Sequence, residues 1–79
     1  MDTKSKVLEI LVELTGEDAL FDNSRIDLIE SGIMDSFTYS ELLYSLEDEF
    51  GIEIQPTQVE SDVWRSVERI ALLVDEMTE

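Results

Sequence analysis

Apolar positions recur along this chain with a helical period in three places. Val7, Ile10, Leu11 and Leu14 follow the i, i+3, i+4, i+7 spacing, with Lys6, Glu9 and Glu13 on the other side. This predicts a first helix that Thr3 or Ser5 can cap and that ends before Gly16. Tyr39, Leu42, Leu43, Leu46 and Phe50 form a second stripe, closed by Gly51. Val67, Ile70, Ala71, Val74 and Met77 form a third, entered through Ser66. Between the second and third, Thr57-Gln58-Val59-Glu60 fits a capping box with Pro56 just before it, which predicts one short turn of helix. Ile52-Glu53-Ile54 alternates but has no partner strand, so it reads as extended loop.

The segment from Thr15 to Asp35 shows no such period and is long for a loop in a small domain. That length predicts a packed, functional connection. Leu20, Phe21, Ile26, Leu28, Ile29, Ile33 and Met34 can pin it across a bundle. The expected architecture is all-α: a bundle of three main helices and one short helix with a long first loop, and residues 1–79 as one domain. Tyr39 and Tyr44 diverge around the second helix, so Tyr44 is expected to be the more exposed.

Charge narrows the partners. Twenty acidic residues stand against five basic ones, a formal net charge of −15 in 79 residues. Phosphate backbones bind through Lys/Arg clusters, so no nucleic acid is expected as a partner. Anionic membranes are disfavoured for the same reason, and Ile70 to Val74, the longest apolar run, is too short for membrane insertion. A partner with a basic docking patch is favoured. The polar start and the interruptions at Glu9 and Glu13 do not make a signal peptide, so a cytoplasmic location is expected. A monomer is expected too. The chain has no Cys and no His, which removes disulfides, the usual zinc sites and His-activated nucleophiles.

The segment that carries chemistry is Gly32-Ile33-Met34-Asp35-Ser36-Phe37. Asp35 is a good N-cap for the second helix, which places Ser36 at its first position, beside unpaired amides and the positive end of the dipole. A phosphate ester is favoured there. Thr38-Tyr39-Ser40-Glu41 is a competing helix start that would leave Ser36 in the loop. Phe37 is either core or an exposed apolar contact. Met34 and Trp64 read as core or core edge.

The order of these features resembles the acyl and peptidyl carrier protein family from about Val7 to Val74. It runs from a long anchored loop through Gly-x-x-Asp-Ser-apolar and an acidic helix to Phe50-Gly51-Ile52-Glu53-Ile54 and two further helical segments. The resemblance implies a four-helix carrier bundle with 4′-phosphopantetheine, donated from coenzyme A, on Ser36, flanked by Asp35 and Phe37. It is closest to the D-alanyl carrier group, through Asp35-Ser36-Phe37 and Asp62-Val63-Trp64. The chain departs from that group at Thr38, where Gly is usual, and at Arg65-Ser66, where Thr-Pro is usual.

On this reading the protein is no enzyme, and its cargo rides as a thioester on the arm. Its partners are a phosphopantetheinyl transferase, an acyl- or aminoacyl-adenylating enzyme, and an acyltransferase or synthase with a basic docking patch. Glu41, Glu47 and Asp48 on the second helix are candidates for docking, against the alternative of a solvated face. The cargo leans to D-alanine or another amino acid. The alternatives are specialised fatty-acid or polyketide synthesis, and an acidic helical interaction module with no prosthetic group. An EF-hand fails: a loop starting at Asp22 puts Ile26 at position 5, Asp27 at 6 and Ile33 at 12.

Overall fold

The computed structural model describes residues 2–78. Four α-helices follow in order: α1 Thr3–Thr15, α2 Ala19–Asp22, α3 Ser36–Phe50 and α4 Val67–Thr78. Two 3₁₀ turns, Pro56–Gln58 and Ser61–Arg65, separate α3 from α4. The bundle is therefore all-α, with three long helices and one short one. The short helix lies in the first connection. After Pro56 the expected turn of helix is a 3₁₀ turn, and Gln55 gives it no side-chain cap. The Thr57 hydroxyl thus does not make a capping box.

Each long helix begins and ends for a local reason. α1 is capped by Asp2, whose carboxylate accepts from the Ser5 amide at 2.8 Å, rather than by Thr3 or Ser5. Asp accepts as well as a hydroxyl does at this position, and capping from Asp2 leaves Thr3 inside the first turn. α3 starts at Ser36, not at Thr38, because Asp35 provides the cap. Gly51 ends α3 at φ 64°, and its amide reaches back to the Glu47 carbonyl. A left-handed residue there satisfies an end carbonyl at no side-chain cost. Ser66 opens α4 by accepting the Arg69 amide at 3.3 Å.

α1 packs against both α3 and α4, which touch each other less. The three stripes meet as Val7 and Leu11, Leu42 and Leu46, and Val67, Ile70 and Val74, all fully buried. From the first connection, Leu20 and Leu28 are fully buried and Met34 nearly so, while Ile26 and Ile33 pack partly against the core. Phe21 and Ile29 were expected to pin this segment too, yet both are exposed. The core is already filled at their level by Leu20 and Leu28, their sequence neighbours. Each buried leucine contributes roughly 1.5–3 kcal/mol, so this connection is anchored to the core at Leu20 and Leu28.

Candidate functional site

The approach to Ser36 is built by residues 27–35. The Asp27 carboxylate accepts from the Ile29 amide at 3.0 Å and the Glu30 amide at 2.9 Å, which curls the chain into a turn. Its other oxygen meets the Arg65 guanidinium at 3.0 Å. The Glu30 amide foremost, then Arg65, and least the Ile29 amide hold the Asp27 carboxyl below its ordinary pKa. Gly32 takes φ 84° at the reversal. The Met34 amide then donates to the Leu28 carbonyl at 2.7 Å, which closes the loop and sends Met34 into the core.

Asp35 follows in an extended conformation, and its carboxylate accepts from the Thr38 amide at 2.8 Å. That amide bond is the main reason the Asp35 carboxyl lies below its ordinary pKa. An anchored loop and a charged cap thus fix the first residue of α3. Ser36 occupies that position and is exposed. No hydrogen bond ties its hydroxyl among the described residues.

A shallow cleft of about 320 Å³ opens beside Ser36. Ile29, Met34, Asp35, Ser36 and Tyr39 line it from the first connection and α3, and Pro56, Val59, Ser61 and Trp64 from the segment between α3 and α4. Trp64 is almost fully buried and meets Tyr39 edge-on, with ring centroids 5.3 Å apart and planes at 78°. This arrangement is favourable for aromatic pairs, and both rings line the cleft. Met34 and Trp64 are therefore core residues that also line the site.

The other candidates separate by face. Phe37 is 72% exposed and is not one of the cleft walls, so it points outward and is not part of the core. Asp48 is exposed and Glu41 half-buried. Phe37, Glu41, Tyr44 and Asp48 fall at i, i+4, i+7 and i+11, one outward stripe opposite the buried Leu42 and Leu46. As its divergence from Tyr39 around the helix predicts, Tyr44, at 74% exposure, joins this stripe. Glu47 lies off it: its carboxylate accepts from the Ile54 amide at 2.8 Å and orders the chain after α3. Arg65, Asp27 and the Tyr39–Trp64 pair were missed as site residues. Trp64 carried a signal in Asp62-Val63-Trp64, but nothing in the sequence linked it to Tyr39 or linked Arg65 to Asp27.

Two chemical facts bear on a prosthetic group. The exposed hydroxyl sits at a helix start, where a phosphate ester gains from amides and dipole. The chain has no Cys, so a thioester carrier of this composition needs its thiol from a bound group. An open, largely apolar recess next to the hydroxyl leaves room for one. The residues present fit a phosphopantetheine arm on Ser36.

Comparison with known proteins agrees with the geometry. The family model for the phosphopantetheine attachment site matches residues 5–74. The D-alanyl carrier protein of Bacillus velezensis is 38% identical over 79 residues, covering 100% of this chain and 97% of the relative. That of Lactobacillus delbrueckii subsp. bulgaricus is 39% identical over 80 residues, with 96% and 99% covered. That of Bacillus subtilis is 35% identical over 77 residues, with 98% and 99% covered.

Proposed function

The chain belongs to the family of proteins with a phosphopantetheine attachment site, and from that premise we propose that Ser36 is the attachment point and D-alanine the cargo. The observation that carries the first part is an exposed, untied serine hydroxyl at the capped start of α3, on the rim of the cleft. The second part rests on end-to-end similarity to D-alanyl carrier proteins.

Residues 1–79 act as one carrier module, and presentation is its work. The Ser36 hydroxyl attacks a phosphorus of coenzyme A. A new P–O bond replaces the one to the adenosine bisphosphate leaving group, and the serine proton passes to a base of the transferase. Asp35 keeps α3 starting at Ser36, and the N-terminal amides of α3 favour the resulting phosphodiester charge. Once bound, the group supplies the thiol on which cargo rides as a thioester. An adenylating enzyme activates the amino acid, and the outward stripe of α3 meets each partner. Phe37 and Tyr44 supply apolar anchors, and Glu41 and Asp48 face basic rim groups, a mix that gives fast encounter and easy release. Coenzyme A and the nucleotide for adenylation place this work in the cytoplasm.

The test is intact mass after incubation with coenzyme A, magnesium and a broad-range phosphopantetheinyl transferase. One phosphopantetheinyl group should be added to the wild type and none to Ser36→Ala. The holo form is then offered to a D-alanine-adenylating enzyme and, separately, to an acyl-carrier synthetase with medium-chain acids. Efficient loading by the first supports the assignment of cargo. Loading by the second alone overturns it in favour of an acyl carrier for fatty-acid or polyketide synthesis. Absence of modification with several transferases leaves an acidic interaction module.

A further inference from the structure

Arg65 joins two segments that are far apart in the chain and both wall the cleft beside Ser36. Its guanidinium meets Asp27 at 3.0 Å and Asp62 at 3.2 Å. Its own carbonyl accepts the Leu28 amide at 2.7 Å, so the same point is fastened by main chain and side chain. From Leu28 the connection passes to Met34 through the 2.7 Å bond described above, one residue before the cap of α3. The Asp27 side brings Ile29 and Met34 to the cleft, and the Arg65 side brings Ser61 and Trp64. A half-exposed ion pair adds little to stability by itself. A guanidinium that bridges two carboxylates with fixed geometry is well suited to hold a separation.

We propose that Arg65 is a positioning residue for transfer to Ser36: clamped to Asp27, it sets the width of the cleft and the approach of Met34-Asp35 to α3, and so the presentation of the serine hydroxyl. The proposal rests on Ser36 being the attachment point. Charge and clamp make opposite demands, which lets them be separated. Removing Arg65 makes the chain more acidic, and removing the Asp27 charge makes it less so. If these residues acted only by steering a basic partner, Arg65→Ala and Asp27→Asn would change the rate in opposite directions. As a clamp, both slow it.

The experiment uses the full chain as Arg65→Ala, Arg65→Lys, Asp27→Asn and the Arg65→Ala/Asp27→Asn double variant, well below their melting temperatures. Two readouts are taken: kcat and KM for modification by one transferase, and acrylamide quenching of Trp64, the chain's single tryptophan. Misplacement of a reacting group costs rate, so each single variant should lose about 3–10-fold in kcat with KM within about twofold. Arg65→Lys should recover part of the loss. The double variant should be no slower than the worse single one, because the two act through one contact. Quenching should rise in both single variants. Rate changes of opposite sign, or unchanged kcat in both, would overturn the proposal even if quenching rises. Should the wild type prove unmodified at Ser36, the attachment reading fails separately. Unchanged quenching of Trp64 then overturns the clamp, and increased quenching supports it.

Discussion

Two helices of this molecule begin in the same way. At α1, Asp2 lies extended at φ −81°, accepts an amide three residues on at 2.8 Å and is followed by a hydroxyl residue, Thr3. At α3, Asp35 lies extended at φ −100°, accepts an amide three residues on at 2.8 Å and is followed by Ser36. The caps are equivalent, and the surroundings differ. Thr3 is half-buried and donates its hydroxyl to Asp75 of α4. Ser36 is exposed, and the chain before it is a bolted loop ending at an apolar cleft. An Asp-hydroxyl helix start is therefore a common structural device. What makes one of the two a candidate for modification is the freedom of the hydroxyl and the anchored loop that presents it, since a recess of about 390 Å³ also lies beside Thr3.

The largest effect to expect concerns which hydroxyl reacts. Ser36→Ala should abolish modification by mass spectrometry, whereas Thr3→Ser should leave a single phosphopantetheinyl group. Thr3→Ser combined with Asp75→Ala frees the hydroxyl at α1 without supplying the anchored loop that precedes Ser36, and it should still gain no second group. A second addition would show that release of the hydroxyl alone is enough, and the comparison would break.

Substituting the caps sharpens it. Asp2→Ala and Asp35→Ala should each lower the melting temperature by a few degrees, since each leaves a helix amide without its acceptor. Only Asp35→Ala should also slow modification of Ser36, by about tenfold, because the start of α3 then drifts toward Thr38 and the serine loses its fixed place. Equal modification rates in the two variants would mean that the cap holds the helix but not the site.

The same pair shows what was legible in advance. Asp35 and Ser36 were readable because Gly32, the acidic helix and Gly51 surround them in a fixed order. Asp2 was not read as a cap, since Thr3 and Ser5 are equally good cap types and only geometry chooses among them. The stripes of α1, α3 and α4 follow from a period of 3.6 residues and appear as expected except at Met77, which is exposed in the last turn of α4. α2 has four residues and no stripe, so periodicity could not find it. Arg65 with Asp27, and Glu47 with the Ile54 amide, are contacts across 38 and 7 positions. No local pattern encodes them, because they depend on how the first connection folds back over the 3₁₀ turns.

Acid should reveal the two caps as equals. The Asp2 and Asp35 carboxyls both lie below the ordinary 3.8, each chiefly because an amide donates to the ionised form. A depressed folded-state pKa contributes stability that is complete above the unfolded value and is lost as pH falls through the folded one. The stability difference between wild type and either Ala variant should thus be constant near neutrality and shrink below about pH 4. Repulsion among the other carboxylates is common to all three proteins and largely cancels in these differences. Chemical denaturation at a series of pH values measures them. A difference that persists into strong acid for one cap would show that its aspartate acts other than as an ionised acceptor.

Salt should give the smallest effect, again unequal at the two helices. Lys4 and Lys6 stand in the opening turns of α1 and pair with Glu68 at 4.0 Å and Glu49 at 2.7 Å. α3 carries four acids and no base along its 15 residues. Screening weakens those pairs and relieves the repulsion along α3, so the two regions pull in opposite directions. With twenty acids against five bases, repulsion outweighs attraction. The radius of gyration is 11.4 Å, close to the Debye length of about 10 Å at 0.1 M salt. Repulsion across the molecule is therefore mostly screened by that concentration. The melting temperature should rise by a few degrees on going from about 0.01 to 0.1 M sodium chloride and little beyond. Lys6→Ala should enlarge the rise by removing the attraction that salt weakens. Glu41→Gln with Asp48→Asn should reduce it by removing repulsion that salt relieves. A flat or falling melting temperature in the wild type, or a smaller rise in Lys6→Ala, would place the balance of charge with the pairs of α1 rather than with Glu41 and Asp48 of α3.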